Sequence, residues 1–428
     1  MMKHLFWLLA LCTSCAYFNT FYNARQFHKQ AMTAKGKEQD KLQSSTLELF
    51  DKSIEKSAII IKEHPRSRWV DDALFMMGKC YYEKREYVRA RDKLDALDLF
   101  YPNSPLRHQA AYHRGLCYLE EKNYGLAAVA FAELAEKNPR YKELCLYRLG
   151  ETYFRQADYV KCLDFYNDFL NKFPKTKHRA AVWGYMGDAA SNLKDHRPAL
   201  EYYVRALKVT KSKEERDRFK LKVGQCYLLL QDYAGGLNYL RGEVAPGFLL
   251  LKGKILKAAG RKAEQLKLLR ELARSQLENE MAAEVFYEIG LVYQADEIYD
   301  TALVHFDSAY ARAAASPCGE NSIKCIQTIN KILEYRAKSQ DDPARAQFLL
   351  AELYFVNLSD TTRALAEYEK VYQGFADSPF APKAMYAYAW ITENMLHQDS
   401  LARIAYRQLI EKYPDTEYSQ AARQRIGE

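Results

Sequence analysis

Nine His, nine Cys and 55 Asp and Glu give this chain the raw material for metal binding or acid–base work, so spacing decides whether chemistry follows. His113 and Cys117 stand four residues apart, a step that puts two ligands on one helical face. No second pair lies near them, and no metal is expected there. Glu120-Glu121 and similar carboxylate pairs fall at turns, where charge is ordinarily solvated. The 18 Gly include no phosphate-cradling loop, because they interrupt helical patterns and do not join a strand to a helix. A catalytic pocket needs several converging polar groups, and the sequence shows none. The expectation is a non-enzymatic chain with no metal and no cofactor. Nucleic acid is not expected either: 63 Lys and Arg give a net charge of +8, but they are spread along the chain and not gathered on one face.

The cysteine with a chemistry of its own is Cys15. The chain begins Met1-Met2-Lys3-His4, continues through the apolar run Leu5 to Leu11, and reaches Cys12-Thr13-Ser14-Cys15. A cationic start, a short apolar core and small residues before a cysteine are the parts of a secretion signal, and the run is too short to span a bilayer. This segment resembles a bacterial lipoprotein signal over residues 1–15. That resemblance implies lipidation of Cys15 and, with Ala16 following, an outer-membrane anchor facing the periplasm. Seven further cysteines, Cys80, Cys117, Cys145, Cys162, Cys226, Cys318 and Cys325, sit mostly in apolar helical contexts and are expected to be structural. Cys318 and Cys325, if both helical, would lie about 10 Å apart along the axis, beyond disulfide reach.

The elements that position all of these come from a repeat. Glycines recur at Gly78, Gly115, Gly150, Gly187 and Gly224 with spacings of 37, 35, 37 and 37, and again 37 apart at Gly253 and Gly290. Three residues on stands an aromatic (Tyr81, Tyr118, Tyr153, Tyr227, Tyr293). Twelve on stands a small residue (Ala90, Ala127, Cys162, Ala199, Ala302), and sixteen on a bulky one (Leu94, Phe131, Tyr166, Tyr203, Phe306). Pro102, Pro139 and Pro174 close their units 24 residues past the glycine. Leu74, Met77, Gly78 and Tyr81 share one helical face, Lys84-Arg85-Glu86 makes a turn, and a second helix starts at Tyr87. Such a hairpin cannot cover its own apolar face, so neighbours must stack.

These residues resemble the tetratricopeptide repeat (TPR). The resemblance implies an all-α fold, a right-handed superhelical solenoid of stacked helical hairpins. The expected organisation is a signal at 1–15, an N-terminal helical hairpin at 16–65, a repeat array at 66–242, degenerate repeats at 243–315 with a bend near Gly253, an extra helix at 316–342, and a C-terminal repeat pair at 343–428. In Pro65-Arg-Ser, Pro102-Asn-Ser, Pro174-Lys-Thr and Pro414-Asp-Thr a hydroxyl stands two residues after the proline, placed to cap the next helix. That turn is similar to the one in envelope TPR proteins of the BamD and YbgF (CpoB) class, without the coiled coil of the latter.

The family carries its binding surface on the concave face of the first helices, three residues before the glycine, one after it and four after it. Here the resemblance implies Phe75, Lys79 and Tyr82; Tyr112, Leu116 and Leu119; Tyr147, Glu151 and Phe154; then Asp188 and Gln225, an aromatic trough with few charges. Of 33 Tyr, many fill fixed packing positions, which leaves Tyr112 and Tyr147 as groove aromatics that packing does not obviously require. The expected function is a lipid-anchored scaffold whose groove holds an extended or helical segment of another envelope protein, supporting envelope assembly. A glycan-binding module stacking sugars on the trough is the alternative, as is a cytoplasmic adaptor should the signal be false.

Overall fold

The computed structural model describes residues 2–37, 42–338 and 342–428, with side chains from Asn19 onward. Among the described residues every regular element is a helix. The chain divides into two compact units, residues 1–232 and 233–428. The first holds α1 (Met2–Lys35), α2 (Ser44–Glu63), α3 (Val70–Glu83), α4 (Tyr87–Phe100), α5 (Arg107–Glu120), α6 (Tyr124–Lys137), α7 (Pro139–Arg155), α8 (Tyr159–Lys172), α9 (Arg179–Asn192), α10 (His196–Val209) and α11 (Lys213–Leu229). The second holds α12 (Tyr233–Tyr239), α13 (Pro246–Ala258), α14 (Lys262–Ala273), α15 (Asn279–Ala295), α16 (Tyr299–Arg312), α17 (Pro317–Lys338), α18 (Pro343–Val356), α19 (Thr361–Gly374), α20 (Phe380–Asn394), α21 (Asp399–Lys412) and α22 (Glu417–Ile426). Within each unit, consecutive helices pack against one another as hairpins, giving an all-α solenoid of stacked helical hairpins.

The recurring glycine makes room for the bulky residue sixteen positions later. A methyl group on Gly115 would meet the Phe131 ring at 2.6 Å, on Gly290 the Phe306 ring at 2.6 Å, and on Gly78 the Leu94 side chain at 2.7 Å. Phe131, Tyr166 and Phe306 are fully buried in this way, each pressed against the bare backbone of its partner helix. In the C-terminal pair, buried Ala351 and Ala389 take the glycine's place, and the facing rings Tyr368 and Tyr406 come one residue later. The extra residue lies in the hairpin turn.

The turns that follow α3, α5, α7, α9, α11, α13 and α15 each pass through one left-handed residue. Seven positions past the glycine, Arg85, Lys122, Ala157, Lys194, Gln231 and Glu297 have φ between 58° and 63°, and Gly260 has 69°. The amides around them form Schellman closures: Arg85 N–H donates to the Tyr82 carbonyl and Glu86 N–H to the Tyr81 carbonyl, both at 2.9 Å. The same pair of bonds recurs at Lys122 and Asn123, and at Ala157 and Asp158. The residue that completes the closure then opens the next helix. Asn123 Oδ1 accepts the Leu126 N–H and Asp158 Oδ1 the Lys161 N–H, at 3.4 and 3.2 Å.

Between hairpins the hydroxyls act one step earlier than expected. Ser67, Ser104 and Thr176 accept the N–H two residues on, at Trp69, Leu106 and His178, which precede their helices; only Thr416 caps its helix directly, through Ser419 N–H. Two of them also reach back to the preceding hairpin, Ser104 Oγ donating to Asp71 and Thr176 Oγ1 to Glu143, at 2.6 and 2.7 Å. Pro139 does not close its unit: it sits at the first turn of α7, capped by Asn138, because its missing N–H is not needed there.

Gly253, where the sequence places a bend, lies inside the regular hairpin α13/α14. The units instead divide at residues 232 and 233, just before the seven-residue α12 with its Gly235-Gly236 pair. Interior glycines weaken a helix by about 1 kcal/mol each. Helix α17, which follows α15/α16 without a second helix of its own, packs against α15, α16 and α18. Arg336 ties it down by a hydrogen bond of 2.7 Å to Glu297.

Candidate functional site

In the first unit the odd-numbered helices α3 to α11 put a continuous row of side chains on one face. Between α3 and α5, His113 Nδ1–H donates to the Gln109 carbonyl (2.9 Å), and the His113 ring meets Phe75 and Tyr82 edge-on at 5.3 and 6.4 Å. Burial lowers its pKa. Lys79 lies 5.8 Å from the Phe75 ring. Between α5 and α7, Arg148 Nε donates to the Tyr112 hydroxyl at 3.0 Å. Between α7 and α9, the Tyr185 ring sits 5.1 Å from Phe154 and 6.4 Å from Tyr147. Between α9 and α11, Lys222 pairs with Asp188, whose Oδ1 also accepts the Tyr203 hydroxyl at 2.6 Å.

Two expectations for this face need correction. Tyr147 is only 8% exposed, and packing does require it: its ring stacks on His178 at 4.2 Å, and its carbonyl accepts the buried Tyr166 hydroxyl at 3.1 Å. Nor is the trough poor in charge. Glu151, 1% exposed, is held between Arg148 at 2.5 Å and Arg155 at 2.7 Å, and Arg155 reaches on to Glu120 at 3.0 Å. A buried carboxylate persists only with such partners. Burial, together with the nearby Glu151 charge, pushes the Tyr185 hydroxyl well above its ordinary pKa, so it stays a neutral donor. Phe75, Leu116 and Leu119 are buried in the packing between helices, whereas Lys79, Tyr82, Tyr112, Phe154 and Asp188 are half-buried and Gln225 is exposed.

Sequence reasoning did not assign to this face the residues two before the glycine: His113, which it weighed only as a metal ligand, and Arg148, Tyr185 and Lys222. It also missed Gly184. This residue occupies the position that Phe75, Tyr112 and Tyr147 fill in the preceding hairpins, and with no side chain there the face opens into a cavity of about 270 Å³. Phe219, Tyr147 and Tyr185 line it together with Asp188, Arg218 and Lys222.

Five of the described cysteines are packing residues. Cys80, Cys117, Cys145, Cys162 and Cys226 are buried, and burial pushes the first four thiols up to about 12. His113 and Cys117 bring no further donor together: among the described residues no group of three His, Cys, Asp or Glu is placed to hold a metal ion. The Cys15 side chain lies outside the described ones. Among the described residues no helix is long and apolar enough to cross a membrane.

Comparison with known proteins follows this geometry. Two tetratricopeptide-repeat family profiles match, one at residues 144–176 and 383–416 and the other at 75–142. Among solved structures, a tetratricopeptide repeat protein from Parabacteroides merdae aligns at 14% identity and a TM-score of 0.43, covering 60% of this chain and 98% of that one. The C-terminal part of a TPR repeat-containing protein from Cytophaga hutchinsonii aligns at 14% identity and a TM-score of 0.45, covering 58% of this chain and 98% of that one. No curated protein matches the chain. The profile matches fall on α3 to α8 and α20/α21, hairpins built on the small residue, the facing bulky side chain and the left-handed turn, and the chain thus carries tetratricopeptide repeats.

Proposed function

We propose that this protein is a lipid-anchored interaction scaffold of the bacterial envelope, whose first-helix face in residues 1–232 holds an extended or helical segment of another envelope protein. Tetratricopeptide repeats serve as protein–protein interaction scaffolds, which supports the general role. The observation that carries the specific one is the row from Tyr82 through Tyr112 and Phe154 to the cavity at Gly184, half-buried rings and fixed charges on adjacent helices. A surface of this kind offers apolar area and oriented hydrogen bonds at small ordering cost, because its side chains already hold one another. The anchor at Cys15, the outer-membrane location and a role in envelope assembly rest on the amino-terminal sequence and the Pro-x-Ser/Thr turns.

A photo-crosslinker placed at Phe154 in cells should capture a defined protein, and one placed at the exposed Val129 of α6 should not. Equal capture at both positions, or none at Phe154, would sink the proposed face. Metabolic labelling with an acyl-chain analogue tests the anchor: label should be lost and the protein should become soluble in Cys15→Ala, and a variant that stays in the membrane fraction overturns it. Co-sedimentation with purified sacculi, abolished by Phe154→Ala, would favour glycan binding instead.

A further inference from the structure

The cavity at Gly184 is more specific than the row leading to it. Its floor is the Phe219 ring, only 1% exposed, and its walls are Tyr147 and Tyr185. Its lip carries two cations, Arg218 and Lys222, against one anion, Asp188. Asp188 is already committed, accepting from both Lys222 and Tyr203. The Arg218 guanidinium lies 5.1 Å from the Phe219 ring and, among the described residues, meets no carboxylate. A partner segment crossing this point covers Arg218. Covering a cation with neutral atoms strips its water without replacing it, whereas an incoming carboxylate restores the lost interaction and adds a forked pair of hydrogen bonds.

We infer that this cavity receives an acidic side chain, Asp or Glu, from within an extended protein segment lying on the first-helix face. Gly184 is what admits it: a methyl group there would stand 2.9 Å from the Phe219 ring and begin to fill the entrance. This inference rests on the proposed scaffold reading and goes further by fixing the charge of the partner at one position. It concerns a side chain inside the segment, so it requires no free chain terminus.

The test uses the full-length protein and two short peptide libraries, acetylated and amidated so that only side chains carry charge. Both have mixed Leu, Ala and Ser flanks, one around a central Glu-Glu pair and the other around Gln-Gln. Fluorescence anisotropy should show the acidic library binding about ten-fold more tightly or better, with the advantage shrinking as salt rises. Arg218→Gln should bring the acidic library down to the level of the neutral one, while Arg218→Lys keeps part of the preference. Arg218 is exposed, so its replacement leaves the fold intact, as an unchanged far-UV spectrum will verify. Equal binding of the two libraries overturns the acidic preference while leaving the face as a binding surface. A Glu preference that survives Arg218→Gln assigns the selectivity elsewhere and overturns the inference too. Absence of binding by either library, with Phe154 still capturing a partner in cells, refutes the acidic pocket and spares the scaffold.

Discussion

Replacing the recurring glycine by alanine should have opposite consequences at two equivalent positions. At Gly150 the new methyl carbon would lie 2.5 Å from Cζ and 2.8 Å from Cδ1 of Tyr166. That ring cannot retreat easily: it is fully buried, stacked against Tyr185 at 6.0 Å, packed on Phe169 at 6.3 Å and bonded through its hydroxyl to the Tyr147 carbonyl. Overpacking of this kind costs about 1–3 kcal/mol, and loss of the buried hydrogen bond about 1 kcal/mol more. Against this, alanine improves helix propensity by about 1 kcal/mol. The net effect of Gly150→Ala is a loss of about 1–3 kcal/mol. At Gly253 the methyl would stand 3.2 Å from Cδ2 of Leu269 and 3.7 Å from its Cγ, and a terminal methyl can swing aside. Gly253→Ala should therefore be neutral or stabilising by up to about 1 kcal/mol. Because stability in a repeat array is largely local, amide hydrogen exchange over residues 139–172 and 246–273 is the appropriate assay, alongside urea melts followed by circular dichroism. Equal protection changes in the two variants would refute the ring-against-glycine account. So would a failure of Tyr166→Leu to relieve the cost of Gly150→Ala.

Other outcomes follow from the same geometry. Ala157 holds φ at 63°, so Ala157→Gly should raise local stability by up to about 1 kcal/mol, and Gly260→Ala at the matching turn should lower it by about as much, both read by exchange protection. Glu151→Gln removes the negative charge between Arg148 and Arg155 while keeping its shape; both arginines are partly solvated, which limits the loss to about 1–3 kcal/mol in urea melts. Burial, with Lys79 nearby, lowers the His28 pKa from 6.5 to about 4, and among the described residues its Nε2 has no hydrogen-bond partner. The unfolded chain therefore takes up the proton first, and His28 withdraws stability as pH falls from about 6.5 towards 4. The wild-type minus His28→Gln difference in melting temperature should therefore fall steadily as pH drops through that window, and a flat difference would remove His28 as the cause.

The division between what the sequence discloses and what it hides follows from which contacts demand a residue type. Gly78, Ala90 and Leu94 are recognisable because a helix–helix contact leaves no choice: one partner must be bare for the other to be large. The left-handed turn imposes a conformation just as strictly, yet Arg85, Lys122, Ala157, Lys194, Gln231 and Glu297 share no side-chain property. Its closure is made by backbone amides, so the cost of a positive φ is offset without selecting glycine, and no composition signal remains.

The same reasoning explains why the candidate site was only half legible. The positions carried over from the repeat family located the face but misjudged its character, because Tyr147 is covered by His178 from the next hairpin, and the two arginines that hold Glu151 are themselves fixed by Tyr112 and Glu120 of the preceding hairpin. The residues two before the glycine, His113, Arg148, Tyr185 and Lys222, differ from one hairpin to the next, so a period cannot reveal them. Binding surfaces on repeat scaffolds must vary in this way, since a face with the same side chain on every hairpin would offer a partner no register. Gly184 is informative for that reason: it breaks the aromatic sequence Phe75, Tyr112, Tyr147 at one hairpin, and the packing does not fill the space it leaves. A missing side chain in an otherwise regular row, next to an arginine with no carboxylate partner among the described residues, fixes a single place along the face where a segment of defined charge can lock its register.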